Sequence, residues 1–309
     1  MKIYNNGNYN YGIDRRSGTK IRFNLLKGFK YKPIFPESID IKITNYCSNK
    51  CEWCAESSSI KGKHADINNI LSLFENTIGI EIAIGGGCIL DHPDIEKLID
   101  ELKINNFPSI TINQKDIENS NYTIFETRNE LFNKVCGIGV SVYNGYDDNF
   151  INYINNLPQL LKDKIVIHTI LGLNTYDEIN YMITNNINKI LILGYKKKGR
   201  GESYYSLNHA VRFNIDKFKS TILNLIKTKN LILAFDNLAV NQLNLKEIIS
   251  FKHNVWEKYF MGNDGEFSMY IDFVKNEYSS SSYDFENMYK LDNSTKLNEM
   301  FTNIHKIKR

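Results

Sequence analysis

The stretch SIDIKITNYCSNKCEWC, residues 38–54, decides the fold of this chain of 309 residues. Its first half is an apolar, β-branched run, which predicts the first strand of an α/β core. The isoleucines of that run are Ile39, Ile41 and Ile43. Its second half places Cys47, Cys51 and Cys54 in one short loop directly after the strand. An iron-sulfur cube ordinarily takes four thiolates, so three nearby thiolates leave one iron free to bind a small molecule.

Further apolar runs alternate with amphipathic segments along the chain, which is the pattern of repeated β-α units. Strands are predicted after the first at 80–84, 109–112, 137–142, 165–170, 189–193 and 231–235. Helices are predicted between them at 67–76, 95–104, 176–185 and 218–227. Parallel strands need such crossovers, so we expect an α/β fold with a parallel sheet that curls into a full or partial (β/α) barrel.

Two extensions are predicted to flank this core. Residues 1–36 form an N-terminal β-hairpin, with strands at 9–13 and 19–23 joined by a turn over 14–18. Residues 37–240 form the barrel core, and residues 241–309 form a C-terminal extension that closes or caps the barrel. The C-terminal extension contains a predicted strand at 266–273.

Composition limits the classes of partner. The net charge of +3, from 38 Lys and Arg against 35 Asp and Glu, is close to balance and argues against nucleic acid as a ligand. The start lacks the pattern of a signal peptide, and no apolar run is long enough to span a bilayer, which predicts a cytoplasmic protein with no membrane partner. The five cysteines are odd in number and three are clustered, which favours reduced thiols that hold metal over disulfides.

The CxxxCxxC spacing resembles the signature of the radical S-adenosylmethionine (radical SAM) superfamily. In that family the three cysteines ligate a 4Fe-4S cluster, and the amino and carboxylate groups of S-adenosylmethionine bind the fourth iron. The aromatic residue before the last cysteine, Trp53, also fits the family. The resemblance covers residues 37–145 most strongly. It implies a barrel of the radical SAM type, with Cys47, Cys51 and Cys54 as metal ligands and with the cluster and S-adenosylmethionine as cofactors.

The resemblance also implies a reaction. An electron from the reduced cluster cleaves the sulfonium to methionine and a 5′-deoxyadenosyl radical, which removes hydrogen from a substrate. The substrate is an unidentified small molecule or peptide, and a flavodoxin-like electron donor is an implied partner.

A glycine run follows the second core strand in the sequence IAIGGGCILDHPD. Gly85, Gly86 and Gly87 lack side chains, so the backbone there can approach a ligand closely. The run resembles the family segment that contacts the amino group of S-adenosylmethionine. Cys88 stands where the family often has an acidic residue, so backbone carbonyls would have to bind the ammonium instead.

Other cofactor contacts are predicted at later strand ends. Ser141 resembles the family position that meets the ribose or carboxylate of the cofactor, although a strand serine is also commonly bonded to nearby backbone. The loop GYKKKGRG, residues 194–201, brings Lys196 or Arg200 to a carboxylate of cofactor or substrate, or else forms a solvated surface. Asn144 is close enough to Ser141 to make the same contact, and His168 is expected to be a buried, hydrogen-bonded histidine. Position alone adds Asn113, Gln114 and Asp236 as candidates for substrate binding.

Alternatives remain for the cysteines. Clustered thiols can hold zinc, with Cys88, Cys136 or His64 as a fourth ligand, but no second CxxC or His pair is present. A non-catalytic iron-sulfur or zinc-binding module is therefore the main alternative function. A dinucleotide enzyme is a further alternative, but GGGC lacks the GxGxxG spacing. No cysteine follows Cys136, which predicts a single cluster.

Overall fold

The computed structural model describes residues 1–14, 19–24, 30–250, 255–292 and 294–307. Its strands form two sheets, one of three strands and one of ten. The strands are β1 (Lys2–Asn6), β2 (Tyr9–Ile13), β3 (Lys20–Phe23), β4 (Ser38–Thr44), β5 (Glu81–Gly86), β6 (Phe107–Asn113), β7 (Gly137–Ser141), β8 (Ile165–Ile170), β9 (Lys189–Leu193), β10 (Ile232–Phe235), β11 (Ser268–Asp272), β12 (Glu277–Ser279) and β13 (Tyr289–Lys290).

The ten-stranded sheet confirms all seven predicted core strands as β4 to β10. These strands pair in parallel and in sequence order, and the full order is β10-β9-β8-β7-β6-β5-β4-β11-β12-β13. Because β10 and β13 are the two edges, the sheet is a partial barrel rather than a closed one. The carboxyl ends of the parallel strands therefore converge on one edge, as predicted.

Helices follow the core strands and cover the outer face of the sheet. They are α1 (Ile67–Phe74), α2 (Ile95–Asn105), α3 (Gln114–Asn119), α4 (Ile124–Thr127), α5 (Asn129–Lys134), α6 (Asp148–Asn156), α7 (Gln159–Lys162), α8 (Tyr176–Thr184), α9 (Arg200–Leu207), α10 (His209–Ile226), α11 (Asn237–Leu243), α12 (Leu245–Ser250), α13 (Val255–Tyr259) and α14 (Leu297–Ile307). In the parts of the chain that the structure describes, none of these helices has the length and apolarity needed to cross a membrane.

The predicted helices are confirmed as α1, α2, α8 and the second half of α10. Helix α10 begins earlier than predicted, since its buried stripe already starts at Val211 and continues through Phe218 and Ile222. Charged and polar residues between these positions hide that stripe in a short sequence window.

The two faces of the sheet differ in chemistry. The isoleucines of β4 point outward into the helix-covered core, and Ile39 and Ile43 are completely buried there. We call the opposite side, which carries Asp40 and Lys42 on β4, the inner face. On this face a Cβ at Gly139 would lie 2.2 Å from the His168 ring, so the glycine provides room for that imidazole.

The C-terminal extension adds three strands to the core sheet. Strand β11 confirms the predicted strand and pairs in parallel with β4, from Ser268 opposite Ser38 to Asp272 opposite Lys42. Strands β12 and β13 continue the sheet in antiparallel pairs. The extension therefore lengthens the wall of the barrel directly beside the strand that leads to the cysteines.

The N-terminal hairpin is confirmed as β2 and β3, which pair in antiparallel fashion. Most of its predicted turn lies outside the described residues. An additional strand, β1, pairs with β2 and was not predicted, because its sequence KIYNN is mostly polar.

A buried carboxylate joins this small sheet to the barrel. Glu37, fully buried just before β4, accepts hydrogen bonds from the Tyr9 hydroxyl at 2.5 Å and from Arg22 Nε at 2.8 Å. The Arg22 guanidinium also lies 3.6 Å from the centre of the Phe267 ring and donates to the Met261 carbonyl. One arginine thus connects the N-terminal sheet, the core and the C-terminal extension.

Arg22→Ala is expected to lower the free energy of unfolding by about 3 kcal/mol, because it leaves the buried carboxylate with one fewer charged partner. Denaturant titration measures the change. Lys217→Ala removes an ion pair to Asp177 whose side chains are 43% and 57% exposed, and is expected to cost less than about 1 kcal/mol. Equal losses in the two variants would contradict the role given to Arg22.

Candidate metal and cofactor site

The three predicted ligands lie in a loop, residues 45–59, that follows β4 and that we call the cysteine loop. It contains no regular helix or strand. Its backbone turns back on itself, because Cys47 N donates to Ser59 O at 3.0 Å and Ser57 N donates to Cys54 O at 3.2 Å. All three thiols are free and half-buried.

The three thiols lie close enough to affect one another's ionisation. Burial raises the pKa of Cys47 and of Cys51, and the charge of Cys54 raises both further. The positive charge of Lys115 acts to lower the pKa of Cys51, and that of Arg200 does the same to a smaller extent. Thiols that repel one another as thiolates favour a bound cation, because metal ligation requires their deprotonated form.

No three His, Cys, Asp or Glu side chains within the described ranges converge to hold a single metal ion. Three thiolates that bind different irons of one cube are farther apart than three ligands of one ion. The donor set, three free thiols in one half-buried loop, fits the cluster in number and in chemistry.

Arg200 contacts the cysteine loop more extensively than any other predicted site residue. Its Nε donates to Cys51 O at 2.9 Å, and both of its terminal nitrogens donate to Ser58 O at 3.0 Å. Its backbone N–H also donates to Cys54 O at 3.1 Å. The guanidinium therefore binds carbonyls of the cysteine loop, and its predicted contact with a cofactor carboxylate stays a prediction.

A second set of contacts reaches the cysteine loop from the end of β6. Lys115 Nζ donates to Asn49 O at 3.1 Å, and Asn49 Nδ2 donates to Asp116 Oδ1 at 2.8 Å. Asp116 also caps α3 by accepting from Asn113 N at 2.8 Å. Sequence reasoning missed Asp116, because nothing in its local pattern shows that it faces the cysteine loop.

The glycine run packs against the chain that enters the cysteine loop. A Cβ at Gly86 would lie 2.2 Å from Thr44 O, and a Cβ at Gly87 would lie 2.0 Å from Tyr46 O. The amides of Gly87 and Cys88 donate to these same two carbonyls at 2.8 Å. Gly85 differs, because nothing lies within 4 Å of its Cβ position. Of the three glycines, only Gly85 has open space beside it for a ligand.

Cys88 is buried beside Asp116 rather than paired with another cysteine. Its thiol lies 3.7 Å from Asp116 Oδ1, and burial together with that carboxylate raises its pKa well above the ordinary range. The thiol is therefore protonated at neutral pH. An acid does stand next to Cys88 in space, although it is distant in sequence.

The HPD sequence that follows the glycines has a structural role. Asp94 N donates to His92 Nδ1 at 3.2 Å, which leaves Nε2–H to donate to Ala65 O at 3.1 Å. Burial lowers the pKa of His92 and keeps the ring neutral. His92 thereby fixes the glycine segment to the chain just before α1.

The other predicted contacts lie around the inner face. Ser141 pairs with His168 across β7 and β8, and burial lowers the pKa of His168 to about 4. Lys196 Nζ donates to Ser282 Oγ at 2.6 Å. The Trp53 ring packs edge-on against Tyr204, with centroids 5.8 Å apart. The roles of Ser141, Lys196 and Trp53 in cofactor binding stay predictions.

Three polar residues suggested by position have structural partners. Asp236 caps α11 by accepting from Ala239 N, and Asn113 caps α3. Gln114 Oε1 accepts from the amides of Tyr143 and Asn144 at 3.1 Å. These side chains shape the strand ends around the site.

Asp40, on the inner face, is a further residue of the site that sequence reasoning did not identify. Solvent reaches its carboxyl inside the barrel, yet enough protein surrounds the group to raise its pKa to about 6. Lys196 opposes this increase, whereas Asp236 and Asp264 add to it. The fold therefore disfavours the ionised form of this carboxyl on the inner face.

Asp40→Asn is expected to raise the free energy of unfolding relative to the wild type at pH 7.5. The folded pKa lies above the unfolded one, so the wild type loses stability as pH rises from about 4 to 6. The difference between variant and wild type should vanish below about pH 4, where both side chains are neutral. Denaturant titration at both pH values measures it.

Asp100→Asn is the control of opposite sign, because hydrogen bonds from Lys103 and Lys134 lower the pKa of Asp100. This variant should be slightly less stable than the wild type at pH 7.5. A destabilising effect of Asp40→Asn at that pH would contradict the account of the inner face.

Comparison with known proteins supports the fold. No protein-family profile and no curated protein matches the chain. Among solved structures, Streptococcus suis SuiB bound to precursor peptide SuiA matches with a TM-score of 0.57 and 14% identity, covering 87% of this chain and 65% of that one. SuiB bound to S-adenosylmethionine matches with a TM-score of 0.54 and 13% identity, covering 88% of this chain and 68% of that one.

A third SuiB structure matches with a TM-score of 0.54 and 12% identity, over 97% of this chain and 86% of that one. The chain spans 65% of the length of the peptide-bound SuiB chain. At these identities the likeness concerns the fold. The chain shares the α/β partial-barrel fold of SuiB, in agreement with the fold predicted from its alternating strands and helices.

Proposed function

We propose that this chain is a radical SAM enzyme that binds a 4Fe-4S cluster through Cys47, Cys51 and Cys54. The observation that carries the proposal is the position of three free, half-buried thiols in one loop at the carboxyl end of β4. The fold adds support, since SuiB, of similar fold, has been solved bound to S-adenosylmethionine. When bound and reduced, the cluster would supply the electron that cleaves S-adenosylmethionine to methionine and a 5′-deoxyadenosyl radical.

The residues of the chain would supply position and enclosure. Arg200 and Lys115 bond to carbonyls of the cysteine loop, so the thiols are held before any metal binds. Gly85 offers an open backbone surface next to this loop for the amino group of the cofactor. Ser141, at the end of β7, would contact its ribose or carboxylate, and Lys196 is a further candidate for the carboxylate.

The substrate would occupy the interior of the barrel. The inner face carries polar side chains such as Asp40, whose carboxyl is open to solvent inside the barrel. We propose a small molecule or a peptide as substrate. The peptide class gains support from SuiB, which has been solved with a precursor peptide. A flavodoxin-like donor and a cytoplasmic location would suit a protein with reduced thiols and no membrane-spanning helix in its described part.

Anaerobic reconstitution with iron and sulfide, followed by dithionite and S-adenosylmethionine, tests the function. The wild type is expected to produce 5′-deoxyadenosine, detected by chromatography. Cys51→Ala should lower both bound iron and product, the product by at least about 100-fold, because loss of a direct ligand exceeds the 10–100-fold cost of losing an outer contact.

Cys136→Ser is the matched control, since Cys136 lies outside the cysteine loop and its replacement should change neither quantity. Iron without 5′-deoxyadenosine in the wild type would favour a non-catalytic iron-sulfur module. Undiminished product in Cys51→Ala would contradict the ligand assignment.

The glycines allow a second test of the cofactor site. Gly85→Ala places a methyl group in open space, so stability should change by less than about 0.5 kcal/mol. Its affinity for S-adenosylmethionine should fall about tenfold or more, because the methyl group occupies the surface proposed for the cofactor. Gly87→Ala instead meets Tyr46 O and should destabilise the fold by about 1–3 kcal/mol.

Denaturant titration measures the stability of each variant. Equilibrium dialysis of S-adenosylmethionine with the reconstituted protein measures the affinity for the cofactor. Wild-type affinity in Gly85→Ala would place the cofactor elsewhere.

A further inference from the structure

A buried lysine on the inner face connects the cysteine loop with the C-terminal extension. Lys42 is 2% exposed, and its Nζ lies 2.6 Å from Glu56 Oε2 and 3.1 Å from Asp272 Oδ2. The Glu56 and Asp272 side chains are 19% and 4% exposed. We call these three residues the lysine bridge.

The members of the lysine bridge belong to three different segments. Lys42 is on β4, Glu56 lies two residues after Cys54 in the cysteine loop, and Asp272 ends β11 of the C-terminal extension. Strand pairing sets Asp272 directly opposite Lys42. The C-terminal extension and the cysteine loop are therefore both bonded to the ammonium group of Lys42.

Local bonds fix the orientation of Asp272. Its Oδ1 accepts from the amides of Val274 and Lys275, both at 3.0 Å, in the turn after β11. Its Oδ2 is consequently turned toward Lys42. Both oxygens of the carboxylate are therefore held by hydrogen bonds.

The charges of the bridge are mutually dependent. Burial acts to lower the pKa of Lys42, but Glu56 and then Asp272 raise it overall, so the ammonium stays charged. Removing either carboxylate leaves Lys42 with a single buried partner, which is more costly than loss of a surface pair.

We propose that Asp272 and Lys42 are positioning residues for the cofactor site, which hold Glu56 and with it the carboxyl-terminal half of the cysteine loop. The C-terminal strand β11 is then part of the machinery that shapes the metal ligands, in addition to lengthening the sheet. The link to metal retention rests on the proposed function, whereas the link to the shape of the loop does not.

Asp272→Asn tests this proposal with little change of shape. The amide oxygen still accepts from Val274 and Lys275, but the new NH2 group cannot accept from Lys42. Hydrogen exchange of the metal-free protein, followed by mass spectrometry, is expected to be at least about tenfold faster over residues 51–59. Exchange in β7 and β8, on the far side of the sheet, should be unchanged.

Glu277→Gln is the matched control in the same extension. Its partner Lys290 has a side chain that is 81% exposed, so the pair contributes little, and exchange over residues 51–59 should equal that of the wild type. Glu56→Gln, on the other side of Lys42, should accelerate exchange as Asp272→Asn does. In the double variant, exchange should accelerate by less than the product of the two single-variant factors, because both substitutions act through the Lys42 ammonium.

Release of iron from the reconstituted protein to a chelator gives a second readout. Asp272→Asn is expected to release iron at least about tenfold faster than the wild type and than Glu277→Gln. Exchange at the wild-type rate over residues 51–59 in Asp272→Asn would overturn the proposal. Equal acceleration throughout the sheet would also overturn it, because that result indicates a general loss of stability. If the wild type binds no cluster, the proposed function fails, while exchange still decides the role of the bridge.

Discussion

The hydrogen bonds donated to the carbonyls of the cysteine loop are the interactions on which the site depends. A loop without regular secondary structure satisfies only some of its own carbonyls, and here donors from neighbouring strand ends bind others. Arg200 comes from the segment after β9, and Lys115 from the segment after β6. The parallel sheet brings these ends to one edge, so the architecture and the shape of the site have the same origin.

The glycine run shows how closely two loops can be packed by this arrangement. Gly86 and Gly87 approach the carbonyls of Thr44 and Tyr46 too closely for any side chain, and the amides of Gly87 and Cys88 donate to these carbonyls and join the two segments. Two of the three glycines therefore serve the packing of the protein itself. Gly85 has open space beside it, so it is the one glycine of the three that a ligand can approach closely.

The strands were predictable because their cause is local. A β-branched run such as Ile39 to Ile43 has one face to bury, and its pattern is visible without knowledge of the rest of the chain. The proposed cysteine ligand set was equally visible, since its three members lie within eight residues of one another. Strand β1 was missed because its polar residues gain their stability from pairing with β2.

The supporting contacts of the site were not predictable from the sequence. Arg200 is 149 positions from Cys51, whose carbonyl it contacts, and Asp272 is 230 positions from Lys42. Charge runs and isolated acids carry no information about such distant partners. Asp40 shows the same limit, because its raised pKa arises from groups that the fold alone brings near. Residue types are readable in sequence, whereas directions of side chains require the structure.

Mössbauer spectroscopy of the protein reconstituted with ⁵⁷Fe, recorded with and without S-adenosylmethionine, tests the central claim most directly. Three thiolates from one loop would leave one iron of a four-iron cluster without a protein ligand. We therefore predict four-iron clusters in which addition of S-adenosylmethionine changes the signal of one iron and leaves the other three unaltered. Absence of a four-iron cluster, or a signal that S-adenosylmethionine does not change, would contradict the account.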